Sequence, residues 1–202
     1  MASQALKDFD NRLEEVKQLM EAHGALTRIR RAEAALQGGH QNLQNVAQVV
    51  QHLVSSPGRG RPAEVHALNS AAIALLSAHL QGFLVDLFKE MAKAILDGVV
   101  RDVEAVISAA NIRGNPNEHN IVKLFKAIGI SDVLSGISWQ HMSNQQLRIN
   151  LRTFNELRNK IVHGSSEHVK KSSVSTYLNI FANFASHIDR KLTPKRRRTF
   201  RH

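Results

Sequence analysis

Arg158 and His163 stand five positions apart near the end of an apolar-periodic stretch, Phe154-Asn155-Glu156-Leu157-Arg158-Asn159-Lys160-Ile161-Val162-His163-Gly164. At ~100° per residue, Phe154, Leu157 and Ile161 share a buried stripe, whereas Glu156, Asn159, Lys160 and His163 gather on another face. Arg158 lies between the two, with an arm long enough to reach back toward His163. An imidazole that titrates near neutrality can accept the proton of a ribose 2′-hydroxyl. A fixed guanidinium can neutralise the charge that builds on phosphate oxygens in the transition state. Asn159 is suited to orient a phosphate or to hold the His163 tautomer, and Glu156 to tune either partner, with Lys160 in support. The set therefore fits RNA cleavage without metal. The spacing alone is common, and a helix-terminal histidine is often only a favourable charge at the negative end of the dipole.

These residues need a helix that opens before Leu147 and closes at Gly164. Ser143 with Gln146 three residues later is a capping-box signature for its start, and Gly164 a left-handed stop for its end. Helical periodicity dominates the rest of the chain, and alternation of the strand type is almost absent. Ser3 caps a first helix with the stripe Leu6, Phe9, Leu13, Val16, Leu19 and Met20, which Gly24 is expected to bend. Gly38-Gly39 breaks it, and residues 40–54 form a further helix face. Ser55 to Gly60 is a turn-rich loop, and Pro62 suits the first turn of the longest helix. That helix buries Leu68, Ala72, Leu75, Leu76, His79, Phe83, Leu87, Met91 and Ile95. Asn111 to Asn117 is a loop and Glu118 to Ile128 a short helix, with His119 in its first turn. Trp139 is a packing anchor in an irregular segment. Ser165-Ser166 caps a last helix that buries Val169, Val174, Tyr177, Phe181, Phe184 and Ile188 and closes at Thr193-Pro194.

The predicted fold is all-α, a helical bundle. Residues 1–54 form an N-terminal helical segment packing on it, 62–190 the main helical domain, and 191–202 a basic tail. A chain of 202 residues with 43% hydrophobic side chains can bury a core without staples. With no cysteine, disulfides, thiolate zinc sites and cysteine nucleophiles are excluded, and cytoplasmic residence is the simple expectation. The eleven histidines include no His-Glu-x-x-His pattern, so neither a metal nor another cofactor is expected. His79 reads as a core or interface histidine, and Ser165 and Ser166 as caps without a nucleophile motif around them. The net charge of +10 is concentrated: residues 190–202 carry seven basic groups and no acid, and the other 189 balance at +3. Lys195, Arg196, Arg197 and Arg198 can hold a polyanion such as RNA through counterion release, with Phe200 able to stack on a base. A solvated tail accounts for the same run equally well.

The string Glu156 to Gly164 resembles the signature of the HEPN superfamily: an Arg, a polar residue, three variable residues and a His. Two further blocks are similar to its RiboL-PSP-HEPN and MAE-type branch, the stretch from Leu68 to Leu84 and the stretch from Arg113 to Phe125. The three blocks occur in the family's order and cover about residues 62–190. At Gln81, where relatives often carry an acid, this chain has an amide. The resemblance implies a helical bundle and, in active members, a metal-independent endoribonuclease whose homodimer joins two motifs at one interface. Arg158 and His163 then map to the catalytic pair and Asn159 to the polar residue beside the Arg. The family setting implies a toxin or antiviral-defence effector held in check by a partner such as an antitoxin. A HEPN domain that binds RNA or protein without cutting fits the same motif.

Overall fold

The computed structural model describes residues 2–37, 63–110, 115–164 and 168–198. Among them are six helices: α1 (Gln4–Gln37), α2 (Ala63–Leu96), α3 (Val103–Ala109), α4 (Glu118–Lys126), α5 (Asn144–Val162) and α6 (Lys171–Arg198). The all-α expectation holds; the one β-type pairing among the described residues is an isolated bridge between Trp139 and Met142. The expected helix over 40–54, the turn-rich loop after it, Phe200 and the Ser165-Ser166 cap lie outside the described residues.

α2 is the hub, packed chiefly against α1 and then against α6 and α5. Its apolar residues are numerous enough that Ala67–Leu96 meets the length and composition of a membrane span. Here that apolar surface faces protein: Ala72, Ile73, Leu76, Leu80, Phe83, Leu84, Leu87, Phe88, Met91 and Ala92 are buried in one core. Phe9 of α1 meets Phe83 at 4.9 Å between ring centroids, and Phe125 of α4 meets Phe88 edge-on at 5.9 Å. Elsewhere in the core Phe154 of α5 packs edge-on against Phe181 of α6 at 4.6 Å.

The start of α1 is pinned by its own capping residue and by two other helices. Its first N–H groups have no intrahelical partner and draw negative groups. The Ser3 hydroxyl accepts from the Leu6 N–H at 3.0 Å, as the capping reading requires. Both carboxylate oxygens of buried Asp189, on α6, accept from the Ser3 N–H at 3.3 Å, and Glu90 of α2 accepts from the Ala5 N–H at 2.6 Å. The helix then runs through Gly24 without a break. Gly82 of α2 is where Arg12 crosses on its way to Asp86, and a β-carbon there would lie 2.7 Å from the guanidinium.

Two boundaries differ from those read in the sequence. α6 begins at Lys171 rather than just after Ser166, because Val169 is drawn into the core and its carbonyl is taken by the Asn69 amide at 2.8 Å. It also does not close at Thr193-Pro194. Leu192 is buried, the Lys191 ammonium donates to the Val133 carbonyl at 2.9 Å and to that of Ser135, and the helix continues to Arg198. Lys191 and Leu192 therefore belong to the bundle, and the backbone of Lys195, Arg196, Arg197 and Arg198 is helical.

Candidate functional site

α5 opens as its capping residues dictate. The Ser143 hydroxyl accepts from the Gln146 N–H at 3.1 Å. The reciprocal half of the box is absent: the Gln146 amide turns to Asn150 at 3.5 Å instead. Leu147, Leu151 and Phe154 are buried and Leu157 and Ile161 half-buried, so the stripe faces the core as the spacing predicts. The helix stops at His163, whose N–H reaches the Asn159 carbonyl at 2.9 Å, and Gly164 follows with φ +77°. No atom lies within 4 Å of where a Gly164 side chain would start, so backbone conformation alone favours glycine there.

The motif residues separate into two groups. Arg158 is half-buried, and its guanidinium donates to Asn159 Oδ1 at 3.3 Å. Asn159 Oδ1 also accepts from the side-chain amide of Asn115 at 2.5 Å, and the Asn115 carbonyl in turn accepts from Asn120 at 2.9 Å. Asn159 therefore braces Arg158 against a loop outside its own helix. His163 sits at the helix end, exposed, its imidazole without a hydrogen-bond partner among the described residues. Val162 beside it is 53% exposed, unusual for a branched apolar side chain at the end of a core helix. Glu156 and Lys160 are exposed along the same helix. The shared face of Glu156, Asn159, Lys160 and His163 is thus only partly realised, since Asn159 turns toward α4.

A second tether runs parallel to the first. Asn155, one turn before Asn159 and 5% exposed, donates to the Pro116 carbonyl at 3.1 Å and to the Leu151 carbonyl at 2.7 Å. Its buried Oδ1 has no partner among the described residues. Below it Arg148 forks between Glu118 and Asp132, each at 2.6 Å, and reaches the Asn144 amide oxygen through Nε at 3.0 Å. Burial works against that charge, but the two carboxylates more than offset it and hold the Arg148 pKa above the ordinary guanidinium value. One side chain thus joins the start of α4, the irregular segment and α5. Between these elements lies a cleft of about 550 Å³ lined by Glu118, His119, Val122, Arg152, Asn155, Glu156 and Asn159 among others. Arg158, Lys160 and His163 are not in its lining.

Asn115, Asn155 and Arg148 are the residues that sequence reasoning missed. Asn115-Pro116-Asn117 is recognisable as a turn, and Asn117 does cap α4 by accepting from the Asn120 N–H at 2.8 Å. No spacing rule, however, says which loop a helix face will meet. His79 is half-buried against α1, its Nε2 3.2 Å from the Glu15 carboxylate but not aligned for a hydrogen bond.

Residues 101–194 match the family model described as RiboL-PSP-HEPN. No curated protein and no solved structure matches the chain significantly. The matched stretch contains α3, α4, α5, the irregular segment and nearly all of α6, and with them Asn115, Arg158, Asn159 and His163. Over these residues, just under half of the chain, the protein is similar to the RiboL-PSP-HEPN family, a HEPN-type family, and their described part is all-helical apart from one isolated bridge.

Proposed function

We propose that the protein is a metal-independent endoribonuclease that works as a homodimer in the cytoplasm. The observation that carries this reading is the end of α5, where a braced guanidinium and an exposed imidazole, unpartnered among the described residues, stand five residues apart in a stretch that matches a HEPN-type family. His163 acts as general base and takes the 2′-hydroxyl proton. The 2′-oxygen attacks phosphorus and the bond to the 5′-oxygen breaks. That oxygen takes its proton from water or from the imidazolium of the second copy. Arg158 neutralises the charge on the non-bridging oxygens, and Asn159 keeps it aimed. The products are a 2′,3′-cyclic phosphate and a 5′-hydroxyl. A second protomer meeting the first at the exposed Val162 doubles the number of guanidinium and imidazole groups in one groove. The basic residues Lys195 to Arg198 add affinity for RNA without selectivity. The activity suits a toxin or defence effector restrained by a partner protein.

The test is incubation of the purified protein with RNA in chelator, beside the His163→Ala and Arg158→Ala variants. Wild type is expected to produce fragments with cyclic phosphate ends, and each variant to lose cutting by about a hundredfold or more while remaining folded and dimeric. Equal cutting by wild type and both variants would defeat the mechanism. The exposed Val162 also favours a second reading, a non-catalytic module that uses this surface for a protein or RNA. Wild type that binds RNA and leaves it intact, with no growth arrest on expression, would select that reading.

A further inference from the structure

We propose that the cleft between α4 and α5 is a base-reading pocket, and that it takes a guanine next to the scissile phosphate. This rests on the nuclease reading, because the cleft adjoins the catalytic residues through Asn159. Arg152, Asn155, Glu156 and Asn159 all line it, and at ~100° per residue they occupy a single arc of α5 about 100° wide. Arg148, Glu118 and Asp132 are committed to one another at 2.6 Å and serve as the floor's framework. The remaining groups have capacity for a ligand.

Asn159 spends its Oδ1 on Asn115 and Arg158, so its planar amide carries the NH₂ on the other side, and those hydrogens have no partner among the described residues. Glu156 supplies an exposed carboxylate one turn earlier. Asn155 uses both amide hydrogens on carbonyls, which fixes its orientation and stiffens the wall, while its Oδ1 lies buried behind the surface rather than open to the cleft. A donor beside a carboxylate is the complement of the guanine Watson–Crick edge, which offers an acceptor at O6 and donors at N1 and N2. Adenine and cytosine present a ring nitrogen acceptor where guanine has N1–H, and a carboxylate repels it. From α4, Val122 gives an apolar wall and His119 a flat ring for the base. Arg152 is 68% exposed and held to Glu118 only at 3.6 Å, so it can meet the adjoining phosphate. A volume of about 550 Å³ holds one nucleotide and not a duplex.

Binding of 3′-guanosine, 3′-inosine and 3′-adenosine monophosphates to the intact protein, measured by calorimetry, tests this without requiring cleavage. The guanine nucleotide is expected to bind about tenfold more tightly than the adenine one, with inosine, which lacks the N2 amine, in between. Glu156→Gln removes the carboxylate charge. Asn159→Asp keeps an oxygen for Asn115 and Arg158, turns the donor group into a second acceptor and adds a negative charge. Each is expected to bring the guanine-to-adenine ratio toward one. Equal affinity for the two nucleotides, or a preference that neither substitution alters, overturns the proposal. Mapping cut sites in a mixed-sequence RNA separates the two readings. Unselective binding with cyclic phosphate ends sinks the pocket alone, and guanine-selective binding with uncut RNA sinks the nuclease alone.

Discussion

Arg158 depends on a residue 43 positions earlier in the chain. Asn115 donates to the oxygen that holds the guanidinium, so replacing it with Asp sets two acceptors against each other. Asn115→Asp is expected to lower kcat for RNA cleavage about ten- to hundredfold with little change in KM, since it disturbs aim and not affinity. Steady-state rates on a short oligonucleotide check this, and a change confined to KM would remove Asn115 from the positioning chain. His187 illustrates a residue whose effect is on stability. It stacks on Trp139 at 5.1 Å and has Arg190 against its Nδ1 at 2.7 Å. Burial, then the positive charge of Arg190, depresses its pKa below 6.5. The neutral ring is the form that folding favours, so its contribution is present above pH 6.5 and is lost as pH falls through the lowered value. Thermal unfolding between pH 7.5 and 5 is expected to show a larger drop for wild type than for His187→Gln. Tyr177 shifts the other way: burial and then the Glu156 charge raise its phenol, which leaves it neutral at physiological pH.

At the scale of elements, α5 shows what a sequence can and cannot reveal. Its start at Ser143, its stripe and its stop at Gly164 were all legible, because capping and periodicity are local properties of the chain. The bracing of Arg158 was not, since Asn115 and Asn159 come together only when α4 docks. The start of α6 differs from the sequence pattern for a related reason: the serines at 165–166 suggest a cap, but the capture of the Val169 carbonyl by Asn69 postpones the helix to Lys171. A basic run after Thr-Pro likewise suggests a tail, and only burial of Leu192 reveals that the helix is held past that point. Gly164→Ala isolates the helix stop. With open space around the site and φ at +77°, the cost is the backbone strain of a left-handed residue, about 1–2 kcal/mol. Urea denaturation is expected to show that loss, and an unchanged midpoint would mean the end of α5 relaxes freely.

For the whole molecule, the family match begins at residue 101, yet the core does not. α2 lies outside the matched stretch and touches α1, α5 and α6. Asp189 and Glu90 then fasten the first turn of α1 from two different helices. A fragment of residues 101–198 lacks Phe83, Phe88 and the rest of that central surface. It is expected to show weak far-UV dichroism and no cooperative melting, whereas the intact chain melts in one transition. A cooperatively folded fragment would demote α1 and α2 to an accessory.

The greasy centre of the bundle has a practical consequence. α2 is a rod about 50 Å long that by length and composition alone meets the measure of a membrane span, and stripping α1 away uncovers Phe83 and its neighbours on it. Shortened versions beginning downstream of residue 37 will therefore partition into detergent micelles or pellet with lipid vesicles, even though the finished protein keeps those residues dry.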